Sequence, residues 1–140
     1  YKRQRLGSGD CRNSIDWCTN MKTSEIIKKA AQQEGFDPEM ALKAASIKIR
    51  QQGLMPVQFK DSVMLFKPLA EGVGYVYFVT ADSPLNAISS FKHFKHNLDK
   101  SGVHTVYMEQ QNPMILKTLE RSGIRPEPSN LGRYALMARV

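Results

Sequence analysis

A strand, a helix and a second strand between Gly74 and Met108 constrain the fold of this chain more than any other feature. The run Gly74–Thr80 is dense in aromatic and β-branched residues and is apolar at both alternating sets of positions. That pattern is typical of a central strand covered on both faces. A helical pattern follows, and Val103–Met108 is a second short β run. This spacing predicts a right-handed crossover between parallel neighbours.

The helix of this unit is predicted over Pro84–Lys100, with Ser83 at the N-cap position and Gly102 just past the end. Apolar residues that recur every three to four positions predict a buried stripe, which we expect to lie on the sheet beside Tyr77 and Val79. The stripe consists of Leu85, Ile88, Phe91, Phe94 and Leu98. The residues expected to be exposed are Lys92, His93, Lys95, His96 and Lys100.

The remaining elements complete an α/β pattern. Two helices are predicted, from Ser24 to about Glu34 and from Pro38 to about Gln52, and a β-prone stretch from Val57 to Phe66 is interrupted at Lys60-Asp61-Ser62. Asn112-Pro113 begins another helix that Gly123 closes, and residues 134–140 form a last strand. The predicted fold is therefore a mixed, twisted sheet with helices packed on it, in the order α-α-β-β-α-β-α-β.

The composition changes at Met21. Residues 1–20 contain few large core candidates and a linker-like Gly7-Ser8-Gly9, so we interpret them as an N-terminal extension and residues 21–140 as a single domain. The extension is either vector-derived or a peripheral arm that grips a neighbouring subunit through Trp17. Cys11 and Cys18 are either two free thiols or a small disulfide loop, and no second cysteine pair exists for a zinc site.

The overall composition indicates a globular protein, with 41% hydrophobic and 24% charged residues. Apolar runs such as Tyr75–Val79 are too short to cross a bilayer, so we expect no membrane contact and a cytoplasmic location. The net charge of +7 is spread along the chain. It favours contact with nucleic acid or with an anionic cofactor without specifying either.

The closing segment carries a recognisable local pattern. The strand Val103–Gln111, the helix opened by Asn112 and the triplet Ser122-Gly123-Ile124 are similar to a segment of the GNAT superfamily of acyl-CoA-dependent N-acyltransferases. The resemblance covers residues 63–140, a little over half of the chain, and implies that family's fold. With the run Tyr77–Asp82 and the basic helix after it, the segment also resembles GNAT-like proteins of short-tailed bacteriophages, some of which are internal virion proteins.

The loop that would hold an acyl-CoA departs from the family pattern. The family cradles the pyrophosphate with glycines at a helix N-terminus, whereas residues 80–86 contain no glycine, Pro84 lacks an N–H and Asp82 adds negative charge. We therefore expect no cofactor, or acetyl-CoA if the chain is an enzyme after all. The cofactor-binding candidates that the resemblance implies are Thr80, Leu85, Asn86 and Asn112.

Proton transfer is the second departure. The family often places a tyrosine in the helix after the asparagine, and the matching position here is Leu119, which has no exchangeable proton. The remaining catalytic candidates are Glu109, as general base for an amine, and Tyr107, as a substitute acid on the preceding strand. The plainer interpretation is that Tyr107 packs in the sheet and that residues 109–112 are a polar loop in which Asn112 caps a helix.

His93 and His96 have a spacing that could share a metal, but no third ligand is evident, so no metal site is predicted. We interpret them as part of a solvated basic face that could also contact nucleic acid or an acidic partner. The sequence lacks a Gly-x-Ser-x-Gly elbow, a Cys-x-x-Cys pair, a phosphate-binding Gly-x-x-x-x-Gly-Lys loop and a His-Glu-x-x-His helix.

These observations predict a GNAT-like domain with a degenerate acyl-CoA loop that acts without catalysis as a phage virion-associated or assembly protein. Its expected partners are other proteins of that assembly, such as phage virion proteins, with weak nucleic-acid contact through basic residues. The alternative is an active acyl-CoA-dependent N-acyltransferase with an atypical cofactor loop.

Overall fold

A six-stranded mixed sheet with helices on both faces forms the body of the protein. The computed structural model describes residues 22–110, 112–132 and 134–140. The strands lie in the order β1-β2-β3-β4-β6-β5. Their bounds are β1 Met55–Phe59, β2 Ser62–Ala70, β3 Val73–Thr80, β4 Thr105–Met108, β5 Glu127–Pro128 and β6 Leu136–Arg139. The helices are α1 Thr23–Gln33, α2 Pro38–Gln52, α3 Pro84–Lys100 and α4 Pro113–Arg121.

The predicted α/β class is confirmed, and the structure adds two strands to the predicted order. The β-prone stretch that begins at Val57 is two antiparallel strands, because Lys60 takes a left-handed conformation with φ of 52° and turns the chain. The second addition is β5, which is two residues long and pairs with β6. Gly74 lies at the start of β3, where an added Cβ would overlap the ring of Phe66, so a larger residue here would have to displace that ring.

The crossover from β3 through α3 to β4 is the element that positions the site. β3 and β4 are parallel, as predicted, but they pair only from Val73↔Thr105 to Tyr75↔Tyr107. Beyond Tyr75, β3 continues to Thr80, while β4 ends at Met108 and pairs on its other side with β6. We call the space between the two strands beyond this pairing the strand gap.

The two faces of the sheet have separate cores. On one face α3 and α4 cover a cluster that includes Val76, Phe78, Phe91 and Phe94. On the other face α1 covers a smaller cluster that includes Ile26, Leu65 and Tyr75, with Tyr77 and Val79 packed against it. The expectation that α3 lies beside Tyr77 and Val79 is therefore wrong. Alternate residues of β3 point to opposite faces, and α3 packs on the set that contains Val76 and Phe78.

α3 has the predicted bounds, but its buried face is rotated from the predicted stripe. The buried side chains are Ala87, Ser90, Phe91, Phe94 and Leu98. Ile88 is only half-buried, and Leu85 is 80% exposed. At about 100° per residue, Leu85 lies roughly 150° around the helix from the centre of the buried face. Two positions expected to be exposed, His93 and Lys95, are half-buried.

α1 and α2 form an antiparallel pair on the other face, and only α1 is seated in the core. Ile26, Ile27, Ala30 and Ala31 of α1 are buried, whereas α2 has no buried residue. Asp37 caps α2, because its carboxylate accepts a 2.9 Å hydrogen bond from the N–H of Glu39.

Two further expectations concern membrane spans and the N-terminal residues. No helix among residues 22–110, 112–132 and 134–140 has the length and apolar character needed to cross a membrane. Residues 1–20, including Trp17, Cys11 and Cys18, lie outside the described residues, so the structure does not bear on their interpretation, and Met21, the first residue of the predicted domain, lies outside them too.

Candidate functional site

The strand gap is bridged by a side chain of the protein itself. Gln110 follows the end of β4 and is 4% exposed. Its Oε1 accepts a 2.9 Å hydrogen bond from the N–H of Phe78, and its Nε2 donates a 3.2 Å hydrogen bond to the Phe78 carbonyl oxygen. One amide thus replaces a neighbouring strand for the backbone of Phe78, which otherwise lies beyond the β3–β4 pairing.

Three cavities are lined by residues of β3 together with residues that follow β4, and the first of them is lined by Phe78 and Gln110 themselves. The first, which we call the central cleft, has a volume of about 650 Å³ and is lined by Gln33, Glu34, Phe36, Tyr77, Phe78, Val79, Glu109, Gln110, Asn112, Pro113 and Met114. The second, the helix cleft, has a volume of about 440 Å³ and lies between α1, α3 and α4, with Thr80, Asp82, Ser83, Asn112 and Thr118 among its lining residues. The third, the tyrosine pocket, has a volume of about 450 Å³ and is lined by Gln52, Lys67, Tyr75, Glu109 and Tyr134. Each volume falls within the range of small-molecule sites.

Glu109 lies where the central cleft meets the tyrosine pocket. Its side chain is exposed, and its Oε1 accepts a 3.0 Å hydrogen bond from the Tyr75 hydroxyl. Burial and this hydrogen bond to the Glu109 carboxylate raise the pKa of Tyr75 above its usual range. Burial, with the charges of Glu34 and Glu109, also raises the pKa of Tyr77. Both hydroxyls are therefore held protonated, and the exposed Glu109 side chain is the hydrogen-bond acceptor of the pair Tyr75–Glu109.

Tyr107 is not among the described residues that line the two cavities next to Glu109. Its hydroxyl donates a 3.0 Å hydrogen bond to Asn130 Oδ1, and its ring lies 5.7 Å from that of Tyr134. Tyr107 is 7% exposed, and it is absent from the described residues that line the three cavities. This placement matches the plainer interpretation, in which Tyr107 packs in the sheet.

Asn112 is the N-cap of α4, because its Oδ1 accepts a 2.8 Å hydrogen bond from the N–H of Met114. It lines both the central cleft and the helix cleft. Thr80 also lines the helix cleft, but its hydroxyl lies 2.7 Å from Ser62 Oγ and accepts from the N–H of Asp82 at 3.0 Å. Of the four cofactor-binding candidates, these two therefore converge on one cavity.

Leu85 and Asn86 lie at the N-terminus of α3, outside that cavity's described lining. The N–H of Asn86 donates to Ser83 Oγ at 3.5 Å, and its side-chain oxygen accepts from Lys60 Nζ, also at 3.5 Å. Pro84 has no N–H. In this first turn, all of which the structure describes, the N–H of Leu85 is therefore the one backbone donor without a hydrogen-bond partner.

Asp82 holds the loop in front of α3 in place. Its carboxylate accepts hydrogen bonds from Ser62 Oγ at 2.6 Å, from Ser90 Oγ at 3.1 Å and from the N–H of Asp61 at 3.3 Å. The negatively charged Asp82 carboxylate thus already accepts the hydrogen bonds of the donors that converge on this loop. An acyl-CoA diphosphate needs several free donors at such a helix end, so the residues present do not fit that group.

Sequence reasoning missed the role of Gln110 and the pairing of Tyr75 with Glu109. Gln110 could have been found, because Val106, Met108 and Gln110 occupy alternate positions and the first two are buried core residues. A polar residue in that position needs buried partners. No signal in the sequence identified Phe78 as the partner. Gln111, which belongs to the same predicted polar cluster, lies outside the described residues.

His93 and His96 lie about one turn apart on α3. The described residues contain no group of three or more His, Cys, Asp or Glu side chains that could hold a metal ion. The ring of His93 instead stacks on Phe59 with centroids 3.8 Å apart, and its Nε2 lies 3.2 Å from Asn97 Nδ2. Burial, with the nearby His96, lowers the pKa of His93. His93 is thus a packing residue at the β1 side of α3.

Comparison with known proteins gives little further information. No family model and no curated protein matches the chain. One solved structure that can be superimposed is the ribosomal-protein-S5-alanine acetyltransferase from Vibrio fischeri, with 10% sequence identity over 86% of this chain and 90% of that chain. The TM-score is 0.44, and a likeness of this size identifies neither the family nor the activity of this chain.

Proposed function

We propose that this chain is a non-catalytic, GNAT-like domain that binds another protein in an assembly. The observation that carries the proposal is the Gln110 bridge. Both backbone groups of Phe78, which face the strand gap, are hydrogen-bonded to the protein's own amide. A ligand that entered the gap would have to displace a buried hydrogen-bonded group, and each such group left unpaired costs about 1–3 kcal/mol.

The N-terminus of α3 supports the same proposal. Its first turn offers one free N–H among the described residues, and Asp82 already occupies the nearby hydroxyl donors. The acidic groups Glu34 and Glu109 line the central cleft, and no lysine or arginine is among its described lining residues. Charge therefore opposes an anionic cofactor here.

Exposed apolar side chains at the mouth of the central cleft support the proposal of a protein partner. Phe36 and Met114 line this cleft and are 65% and 66% exposed. Large apolar side chains at the rim of a concave surface are typical anchors for a protein partner. The finer suggestion, that the assembly is the virion of a short-tailed phage, rests on the sequence resemblance alone.

The first test is titration with acetyl-CoA, followed by calorimetry and by thermal unfolding. We expect no heat of binding and no change in Tm at about 1 mM acetyl-CoA. A ligand present at a hundred times its Kd would stabilise the fold by about 2.7 kcal/mol. A saturable shift would retire the non-catalytic proposal.

The second test concerns the partner. Phe36→Ser with Met114→Ser should release the chain from its complex in the native source, as measured by sedimentation of the tagged protein. Met55→Ser with Leu131→Ser is the matched control, because these side chains are also exposed, at 55% and 44%. A wild-type chain that sediments as a lone monomer in the native source would contradict the proposal.

The alternative is an N-acyltransferase with an atypical cofactor loop. The observation that favours it is the helix cleft, where the candidates Thr80 and Asn112 meet in a cavity of about 440 Å³. In that case Glu109 is the group placed to accept a proton from an amine in the central cleft. The acetyl-CoA titration decides between the two, and a bound cofactor would make Glu109→Gln the next variant to assay.

A further inference from the structure

The positive charge of the described chain is concentrated on one side of the sheet. α3, α4 and the four residues after α4 contain six cations and two carboxylates, the latter being Asp99 and Glu120. The six cations are Lys92, Lys95, Lys100, Lys117, Arg121 and Arg125. On the other side, residues 23–52, which form α1, α2 and their turn, contain five cations and four carboxylates. We call the surface that bears the six cations the basic face.

The basic face is continuous across the two helices. α3 and α4 pack on the same core cluster, and the Lys95 side chain passes beside Gly123, where an added Cβ would lie 3.4 Å from Lys95 Cε. In the part of the chain that the structure describes, none of the six cations forms an ion pair. Lys28 on the other side, by contrast, is 3.2 Å from Glu39. The charges of the basic face are therefore available to a partner.

The chemistry around these cations favours nucleic acid over a membrane or a protein. An interfacial membrane helix or a protein interface needs large apolar side chains among its charges. On α3 and α4 the exposed large apolar side chains are Leu85 and Met114, and both lie in the first turn of their helix. The rest of the face presents cations with polar neighbours such as Ser89 and His96. Phosphate contacts in nucleic-acid complexes use such side chains.

We propose that the basic face of α3 and α4 binds the phosphodiester backbone of nucleic acid without sequence preference. The binding is electrostatic, and each phosphate neutralised releases condensed counterions. This inference goes beyond the proposed function, since neither the acetyl-CoA titration nor the rim variants at Phe36 and Met114 depend on it.

The test compares two triple variants of the full chain that have the same net charge. In the first, Lys92→Gln, Lys100→Gln and Arg121→Gln remove exposed cations from the basic face. In the second, Lys29→Gln, Lys43→Gln and Arg50→Gln remove exposed cations from α1 and α2. Residues 1–21, with their own basic side chains, are unchanged in both. Fluorescence anisotropy measures the affinity for a random-sequence DNA duplex of about 30 base pairs between about 50 and 200 mM NaCl.

We expect the first variant to lose at least about tenfold in affinity at low salt. The slope of the logarithm of the binding constant against the logarithm of the salt concentration should become shallower by about 0.9 per lost phosphate contact. The second variant should stay within about twofold of wild type, because its cations lie on the other side of the sheet. Equal losses in the two variants would overturn the proposal, since net charge alone would then explain binding, and so would a wild-type chain that does not bind at low salt. Displacement of the duplex by polyglutamate at equal charge concentration would also overturn it, in favour of an acidic protein partner.

Discussion

Replacement of Gln110 by alanine tests whether the strand gap is held by one side chain. The change removes the acceptor of the Phe78 N–H and the donor to the Phe78 carbonyl at a position that is 4% exposed. Each buried group left unpaired costs about 1–3 kcal/mol, which gives about 2–6 kcal/mol for the pair. Both residues line the central cleft, so water that enters the vacated space can recover part of this cost. We therefore expect the free energy of unfolding to fall by about 2–4 kcal/mol.

Urea unfolding followed by circular dichroism measures this change. With a slope near 2 kcal/mol per molar urea, the midpoint should fall by roughly 1–2 M while the slope stays constant. Gln33→Ala is the matched control, because Gln33 is exposed and lines the same cleft. It should change stability by no more than about 0.5 kcal/mol. If the two variants unfold at the same urea concentration, the bridge contributes nothing and the argument that the gap is closed from within is wrong.

Two further predictions concern the cores. Phe91→Ala should lower the free energy of unfolding by about 3–5 kcal/mol, because this ring is fully buried and its centroid lies 5.0 Å from that of Phe78. His96→Ala, on the exposed side of α3, should cost no more than about 0.5 kcal/mol in the same urea melts. The reverse order of the two losses would mean that α3 is rotated from the structure described. The second prediction is a pH dependence: the folded state raises the pKa of Tyr75, so the stability that its protonated hydroxyl provides is present below about pH 10 and is lost as the pH rises toward the folded-state value. Wild type should therefore lose stability between about pH 9 and pH 11 more steeply than Tyr75→Phe, and parallel curves from urea melts would show that burial and the hydrogen bond to Glu109 do not raise the pKa of this hydroxyl.

The sequence predicted the elements well because their ends carry local signals. Ser83 and Asn112 cap helices as expected, Asp37 caps a third, and each is followed by a proline at the first helical position. The order of strands and helices follows from such signals together with apolar periodicity. The turn at Lys60 was harder to predict, because a lysine with positive φ is uncommon and is not a sequence signal for a hairpin, whereas Asn-Gly is.

The site was predictable only in part, because its contacts join residues far apart in the chain. The polar residues after β4 were recognised, but the bond from Gln110 to Phe78 spans 32 residues and depends on how far β3 and β4 diverge. Leu85 was expected in the core because its spacing from Ile88 fits a helix stripe. Periodicity alone does not fix which apolar residue begins the buried face, and in the first turn of α3 it is Ala87 that is buried while Leu85 faces outward.

α2 has a consequence for how the molecule opens. This helix buries none of its side chains, and a space of about 190 Å³ separates its alanines from Leu65, Tyr77 and Val79 of the sheet. Its apolar contacts involve only partly buried side chains, such as Ile49 against the second core, so we expect its opening to cost less free energy than global unfolding. Within residues 22–110, 112–132 and 134–140, α2 is thus the element most suited to exchange its amide protons through a partial opening while the sheet stays intact. The chain therefore has one fully buried core around Phe78 and Phe91, and on the other face an outer helix whose main neighbour is α1.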